Sequence, residues 1–201
     1  MIKDLSKKTS SELTFKDKVL INAYDMASVL AVAVVTIMLI FTFVFRVVGV
    51  DGTSMVPTLQ HQDYLIVSAF DKEPAYGQVV IVTQPNAFEK PIVKRIIATE
   101  NQVVDINFAT GDVFVDGVLL NEPYINNRTI NNEGVSFPVT VPENHVFVMG
   151  DNRQGSTDSR SEKIGFIHED YILGVAKYRI FSMDEYTGAM RFNPISEWKV
   201  N

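Results

Sequence analysis

The longest apolar run in this chain limits the folds that are open to it. Ala27 to Phe45 is a stretch of 19 residues without a charged side chain. As an α-helix it would be about 28 Å long, close to the hydrocarbon thickness of a bilayer. A buried core helix rarely stays apolar on every face over such a length. A cleaved export signal has a shorter apolar region that ends in small residues, whereas this run ends in Arg46-Val47-Val48-Gly49. We therefore predict a retained transmembrane anchor over residues 27–48, with a segment 1–26 before it and one domain, 49–201, after it.

The charges on the two sides of this anchor differ and predict its orientation. Five lysines precede it, whereas the other side holds only Arg46 before Lys72. Because the cytoplasmic flank of a membrane helix carries the excess of basic residues, we predict a single-pass protein. Its N-terminus would be cytoplasmic, its main domain would lie outside, and the lipid bilayer would be one partner.

The composition of the main domain excludes several classes of function. Residues 47–201 hold 12 basic and 20 acidic side chains, whereas a nucleic-acid-binding domain needs a basic face. The chain has no cysteine, so it can form neither disulfides nor thiolate metal sites. Its three histidines do not have the spacing of metal ligands. We therefore expect no nucleic acid, no metal and no cofactor.

Beyond the anchor, the sequence pattern is that of a mainly β protein. Short runs rich in Val, Ile, Phe and Tyr alternate with glycines, prolines and asparagines, which favours a barrel or sandwich. Asp116-Gly117 is typical of a two-residue hairpin. We expect residues 103–142 to form a smaller β subdomain, inserted between two strands of the main one. The predicted strands are Tyr64–Phe70, Gln78–Thr83, Pro91–Ala98, Val103–Asn107, Val113–Leu120, Val135–Val141, His145–Met149 and Tyr171–Phe181.

One lysine and one serine in this domain have the chemistry of a catalytic pair. In a strand, Lys94 shares a face with Ile92 and Ile96, so its amine would be desolvated. Desolvation lowers the pKa of a lysine and allows the neutral amine to act as a base. Ser54 needs such a base, because a free hydroxyl is a poor nucleophile at neutral pH. The two residues would then be the Ser-Lys variant of the hydrolytic machinery. The histidines lie among unlike neighbours, so a Ser-His-Asp triad is disfavoured.

Four motifs, in order, resemble those of the bacterial type I signal peptidases. The first is Ser54-Met55-Val56-Pro57-Thr58-Leu59, and the second is Gly77-Gln78-Val79-Val80-Ile81-Val82. The third is Val93-Lys94-Arg95-Ile96, 40 residues after the serine. The fourth, from Val146 to Arg160, contains Gly150-Asp151-Asn152-Arg153 and is the most specific of them.

This resemblance implies a fold, an activity and a set of roles. The fold would be a β-rich catalytic domain with a smaller inserted β subdomain. The activity would be that of a monomeric serine endopeptidase at the bacterial cytoplasmic membrane, which removes the signal peptides of exported preproteins after an Ala-x-Ala-like site. Ser54 would be the nucleophile and Lys94 the general base. Ser156 would hydrogen-bond the lysine and so orient its amine toward Ser54. The supporting ion pairs would be Asp151 with Arg95 and Asp158 with Arg160.

The resemblance also implies shallow apolar pockets for small substrate residues and an oxyanion hole. The backbone N–H of Ser54 would be one oxyanion donor. Many members of the family have a serine two positions before the nucleophile as the second donor. Here that residue is Gly52, so the identity of the second donor is open. The candidates for the pocket walls are Val50, Met55, Leu59, Ile92, Val93 and Met149.

Three other functions fit parts of the sequence. A self-cleaving repressor would use the same pair of residues but needs a DNA-binding domain, whose place the anchor takes. A signal-peptidase-like accessory protein for surface or pilus assembly would have lost the serine or the lysine, and this chain keeps both. A membrane-tethered β-domain that only binds would leave the motif at 146–160 unexplained.

Overall fold

In a computed structural model, residues 14–43, 45–70, 73–85, 88–181 and 193–195 are described. The chain forms two compact units, Met1–Phe43 and Val44–Asn201.

The described residues of the first unit form a helix, α1, which runs from Phe15 to Phe43. Thr14 and Asp17 cap its start reciprocally, because the Asp17 N–H donates to Thr14 Oγ1 at 3.3 Å and the Thr14 N–H donates to Asp17 Oδ2 at 3.1 Å. This is a capping box, which satisfies two N–H groups that the first turn leaves free. Within the described residues, Phe15–Leu39 is the one helical stretch long and apolar enough to cross a membrane, with a mean hydropathy of 1.8.

The boundaries of this helix differ from the predicted anchor, 27–48, at both ends. The helix begins 12 residues earlier than Ala27, because the charges among residues 15–26 interrupt the apolar run without breaking the helix. At the other end, Phe45–Gly49 is a β-strand that pairs with Tyr64–Ser68. Sequence hydropathy does not distinguish a β-branched apolar strand from the end of an apolar helix.

Twelve strands follow in the described part of the chain. They are β1 (Phe45–Gly49), β2 (Tyr64–Ser68), β3 (Val79–Val82), β4 (Ile92–Ala98), β5 (Val103–Asn107), β6 (Asp112–Val115), β7 (Val118–Leu119), β8 (Val139–Thr140), β9 (His145–Met149), β10 (Ile167–His168), β11 (Ile172–Phe181) and β12 (Asn193–Pro194). A 3-10 turn, Glu169–Tyr171, connects β10 to β11.

These strands form two antiparallel sheets. The larger sheet has eight strands in the order β1-β2-β11-β3-β4-β9-β10, with β12 paired to β11. The smaller sheet has four strands in the order β7-β6-β5-β8 and is inserted in the chain between β4 and β9. The predicted fold class, mainly β with an apolar N-terminal helix and an inserted β subdomain, is confirmed.

Individual strands differ from their predicted extents. The hairpin predicted at Asp116-Gly117 within Val113–Leu120 is confirmed: it joins β6 to β7, and its turn residues have φ values of 52° and 77°. Positive φ at both positions is what a tight hairpin needs, which is why this turn is Asp-Gly. The predicted strand Val135–Val141 pairs only over β8. Trp198, which we expect to be a packing residue, lies outside the described residues.

The two sheets share an apolar cluster that supports the region around Lys94. Phe147 and Met149 of β9 and Ile97 of β4 pack with Val104 and Val113 of the smaller sheet, and all five are almost fully buried. Since the smaller sheet covers one face of β4 and β9 in this way, these two strands carry buried apolar side chains on both faces.

Candidate active site

The structure brings Ser54 and Lys94 into direct contact. The Lys94 ammonium nitrogen, Nζ, lies 2.8 Å from Ser54 Oγ. Lys94 is in the middle of β4 and is 4% exposed. Ser54 is in the turn that follows β1, where it is half-buried. A strand positions Lys94 and a tight turn positions Ser54, so two residues that are 40 positions apart in the sequence form one hydrogen bond.

Burial changes the acidity of this lysine. It lowers the pKa of Lys94 from 10.5 to about 8, because the charged amine is desolvated among apolar neighbours. The carboxylates of Asp158, Glu133 and Asp151 oppose this shift, and the Arg160 guanidinium adds to it. Since the desolvation is the largest effect, a substantial fraction of Lys94 is neutral in mildly alkaline solution and able to accept a proton from Ser54.

Both ion pairs that the sequence predicts are present and buried. Arg95 donates to Asp151 through Nε at 2.8 Å and through Nη2 at 2.7 Å. Arg160 donates in the same two-pronged way to Asp158, with both distances 2.8 Å. All four side chains are at most 1% exposed. Such pairs fix the loop between β9 and β10 directly behind the site, because a planar guanidinium has one best orientation on a carboxylate.

Ser156 is near the pair but is not bonded to it. Its hydroxyl is buried, and among the described residues it has no hydrogen-bond partner. The predicted hydrogen bond from Ser156 to Lys94 is therefore not formed in this structure. A methyl group at Gly150 would lie 2.2 Å from Ser156 Oγ and 2.5 Å from the Ser54 carbonyl oxygen, so only glycine lets these two residues approach each other. A buried hydroxyl without a partner requires an explanation, and a catalytic role is one.

A cavity of about 490 Å³ opens beside Ser54 and Lys94. Of the six residues predicted to form pocket walls, four line it: Val50, Met55, Ile92 and Val93. Further lining residues, which the sequence did not indicate, are Val48, Ile81, Phe88, Lys90, Pro91, Gly155 and Thr157.

The other two predicted wall residues lie elsewhere. Leu59 is fully buried in the cluster under β2 and β3. Met149 is fully buried in the cluster between the sheets and is the cross-strand partner of Arg95. Cross-strand partners share a face, and neighbours along a strand do not, so Met149 is on the face opposite Lys94. Their place in the motifs did not reveal which face they occupy.

One more buried ion pair connects the smaller sheet to the site, and it was missed. Arg153 donates to Glu122 and to Thr129 Oγ1, the latter at 2.6 Å, and it is fully buried. Glu122 also accepts from the hydroxyl of Tyr124, whose ring stacks 4.0 Å from the Arg95 guanidinium. Arg153 stands in the fourth motif, but Glu122 is in an asparagine-rich segment that reads only as a surface loop. No sequence signal pairs the two.

The backbone amide of Gly52 is a candidate for the second oxyanion donor. The Gly52 N–H donates to His61 Nδ1 at 3.2 Å, and Gly52 has a φ of +110°. In this structure, therefore, the Gly52 amide is already hydrogen-bonded to His61.

Among the residues that the structure describes, no group of three His, Cys, Asp or Glu side chains could hold a metal ion.

Sequence comparisons relate this chain to known proteins. The family model described as "Signal peptidase, peptidase S26" matches residues 23–181. Signal peptidase I T from Bacillus subtilis (strain 168) is 34% identical over 89% of this chain and 95% of its own length. Signal peptidase I from Bacillus amyloliquefaciens is 32% identical over 89% of this chain and 97% of its own length.

A solved structure is also similar to this chain. It is a signal peptidase I from Enterococcus faecalis V583, with 27% identity, a TM-score of 0.41, and coverage of 51% of this chain and 96% of that chain. A TM-score of this size does not by itself establish a shared fold.

The family model and the curated relatives define the class of this protein, a serine endopeptidase. The chain belongs to the signal peptidase family, peptidase S26, and the resemblance that four sequence motifs indicated is confirmed.

Proposed function

We propose that this protein removes the N-terminal signal peptides of exported preproteins, with Ser54 as the nucleophile and neutral Lys94 as the general base. The observation that carries the proposal is the 2.8 Å contact between Lys94 Nζ and Ser54 Oγ. It joins a hydroxyl to an amine that is 4% exposed, which is the combination that such a mechanism needs.

The first half of the reaction forms an acyl-enzyme. Ser54 Oγ attacks the carbonyl carbon of the scissile peptide bond while its proton passes to neutral Lys94 Nζ. The carbonyl oxygen becomes an oxyanion, which the Ser54 N–H stabilises. When the intermediate collapses, the Lys94 ammonium returns the proton to the departing amine, and the mature protein leaves with a new N-terminus.

The second half regenerates the enzyme. Lys94 is neutral again and takes a proton from a water molecule, whose oxygen attacks the ester carbonyl. Collapse of this second intermediate returns the proton to Ser54 Oγ and releases the signal peptide with a C-terminal carboxylate. Both steps use the same base, so a single lysine pKa governs the rate.

The cavity beside Ser54 supports a preference for small side chains at the cleavage site. The apolar residues Val50, Met55, Ile92 and Val93 line it, and an apolar wall of fixed shape accepts alanine and excludes bulk. We propose cleavage after an Ala-x-Ala-like site, with the substrate extended along the start of β4. There Ile92–Lys94 come before the residues that pair with β9, so their backbone can form strand-like hydrogen bonds with a substrate.

The apolar helix α1 supports a membrane anchor. We propose that the protein is a monomer that crosses the bacterial cytoplasmic membrane once, with its N-terminus in the cytoplasm. Protease added to intact spheroplasts should then degrade the domain after the helix and spare an N-terminal tag. Protection of the domain would contradict this orientation.

A peptide assay tests the proposed reaction directly. The purified full-length chain in detergent should cut a peptide with an Ala-x-Ala site, and mass spectrometry should find the cut after the second alanine. A matched peptide with both alanines replaced by leucine should stay intact. Ser54→Ala should abolish cleavage and leave the melting temperature unchanged. Cutting by the Ser54→Ala protein, or cutting at unrelated positions, would contradict the proposal.

A further inference from the structure

The turn that carries the nucleophile is held by one residue from the loop after β9. The Asn152 backbone N–H donates to the Ser54 carbonyl at 3.0 Å. The side-chain amide nitrogen of the same residue, Nδ2, donates to the Thr53 carbonyl at 3.2 Å. Asn152 therefore contacts two successive carbonyl groups of a segment that is otherwise largely exposed to solvent.

The contact with Thr53 has a consequence for the next amide. The Thr53 C=O and the Ser54 N–H belong to one peptide unit, which is planar and trans, so they point in opposite directions. A hydrogen bond that fixes the direction of the Thr53 carbonyl therefore also fixes the direction of the Ser54 N–H. The Thr53 carbonyl accepts from Asn152 Nδ2 at 3.2 Å and from the Val56 N–H at 3.2 Å. Asn152 is the donor from outside the turn, and with it in place the Ser54 N–H is turned the other way.

The amide of Gly52, two residues before Ser54, is fixed by a different partner. The Gly52 N–H donates to His61 Nδ1 at 3.2 Å, so this amide is not available to a substrate unless that bond opens. Gly52 also has no side-chain hydroxyl. The direction of the Ser54 N–H is consequently the feature on which charge stabilisation at this turn depends most.

We propose that Asn152 is a positioning residue, whose side-chain amide aims the Ser54 N–H at the oxyanion of the tetrahedral intermediate. This inference rests on the proposed function, since it assumes that Ser54 is the nucleophile. It assigns to Asn152 an effect on the transition state, because the N–H donor matters most when negative charge has formed on the substrate oxygen.

Gly155 supports this role by leaving room for the amide. A methyl group at Gly155 would lie 2.5 Å from Asn152 Nδ2 and 2.9 Å from its Cγ. The Gly155 N–H also donates to the Asn152 carbonyl at 3.0 Å, which closes a tight turn. Any larger residue at 155 would push the Asn152 side chain away from Thr53. Only glycine leaves room here for the Asn152 side chain. A larger residue at 155 would displace this flexible side chain and would not clash with the backbone.

The first test is Asn152→Ala, with Asn131→Ala as the matched control. The Asn131 side chain also donates to a backbone carbonyl, that of Gln154, at 3.5 Å, and is exposed. Removing an oxyanion donor lowers kcat by about 10²–10³-fold, and misdirecting one should cost less, roughly 10–100-fold. We expect this loss in kcat for Asn152→Ala, with KM and the melting temperature nearly unchanged, and wild-type kinetics for Asn131→Ala.

A second readout separates positioning of the donor from a general structural role. A peptide aldehyde that adds to Ser54 places an oxygen where the oxyanion forms, whereas the product peptide with a free carboxylate forms no such adduct. Asn152→Ala should weaken inhibition by the aldehyde by a factor similar to the loss in kcat and leave inhibition by the product peptide unchanged. If Asn152→Ala does not fold, Asn152→Asp keeps the shape and should give the same pattern, because a carboxylate cannot donate to the Thr53 carbonyl.

A double-mutant cycle with Gly155 completes the test. Gly155→Ala alone should reproduce the kcat loss of Asn152→Ala, and in the Asn152→Ala background it should have almost no further effect, because the displaced amide is gone. Unchanged kcat and aldehyde affinity in the Asn152 variants, or equal losses for aldehyde and product peptide, would overturn the inference. Ser54→Ala measured in parallel separates the two claims: if it retains activity, the proposed function fails, and if it is inactive beside fully active Asn152 variants, only this inference fails.

Discussion

Two segments of this protein meet at the active site, and they are built in opposite ways. Residues 51–53 are exposed, and Ser54 after them is half-buried. In the loop after β9, Asp151, Arg153, Asp158 and Arg160 are all 0% exposed. The exposed segment carries the nucleophile, and the buried one carries the charges that hold it in place.

This difference shows how a water-facing serine is kept in a fixed position. An exposed turn has few packing contacts, so its order must come from its neighbours. Here the buried loop provides that order, through Asn152 to the Thr53 and Ser54 carbonyls and through the close approach at Gly150. Substrate can reach the serine because the segment that fixes it lies behind it.

The largest effect should come from the base, which belongs to the buried side of the site. Lys94→Met and Lys94→Arg should each lower kcat/KM by at least about 10³-fold, since a guanidinium stays protonated and cannot accept the serine proton. Lys94→Met should not lower the melting temperature, because it removes a desolvated amine. Steady-state cleavage of a short peptide measures this, and substantial activity in Lys94→Arg would contradict the mechanism.

The second largest effect should be on the free energy of unfolding, and its size should differ between the two segments. Asp158→Asn removes the nearer of the two carboxylates that pair with the buried Arg160 guanidinium and leaves only Glu133, at 3.4 Å. It should cost up to about 3–5 kcal/mol of unfolding free energy and lower activity with it. The matched change in the exposed segment is Asp51→Asn, which breaks the ion pair with Lys90 at 2.7 Å. Both side chains of that pair are more than half exposed, so we expect little change in stability.

Chemical denaturation of the two variants decides whether the contrast holds. Equal losses of unfolding free energy for Asp158→Asn and Asp51→Asn would show that the loop after β9 is not the rigid partner.

Replacing Ser156 should have a smaller effect, and it should lower activity without lowering stability. Its hydroxyl has no partner among the described residues, so Ser156→Ala removes no bond and should leave the melting temperature unchanged or slightly higher. If the hydroxyl orients Lys94 once substrate has bound, kcat should fall about ten- to a hundred-fold. Kinetics and thermal melting of this one variant measure both quantities. A wild-type kcat in this variant would show that Ser156 does not orient Lys94.

The sequence predicted well whatever depends on local pattern. The strand phase of Lys94 placed its amine among apolar side chains, and the alternation of β-rich runs gave most strands of the larger sheet. The Asp116-Gly117 turn was visible because few residue pairs tolerate positive φ at both positions.

What the sequence could not predict depends on long-range packing. Phe45–Gly49 is a strand because β2 lies beside it, and nothing in its own hydropathy indicates this partner. Met149 is buried because the smaller sheet covers its face. The contact between Arg153 and Glu122 joins a motif to a polar segment 31 residues away, and only the fold brings them together.

The lowered pKa of Lys94 also has a consequence for stability. Its folded value, about 8, lies below the 10.5 of an ordinary lysine, so between these values the folded protein binds fewer protons than the unfolded chain. The contribution of Lys94 to the unfolding free energy should therefore rise with pH across this window. Below pH 8 both states are protonated, and the cost of burying the charge is fully present. Lys94→Met should abolish this rise.

If burial makes Lys94 a neutral base, its pKa should appear in the pH dependence of kcat/KM on a short peptide. The base must be deprotonated to act, so the rate should increase tenfold per pH unit in acid and level off above the pKa of the free enzyme. We predict that this limb bends at about pH 8, in agreement with the pKa of Lys94. A rate that still rises steadily through pH 10, as for an unperturbed lysine with a pKa near 10.4, would show that burial does not make Lys94 a neutral base.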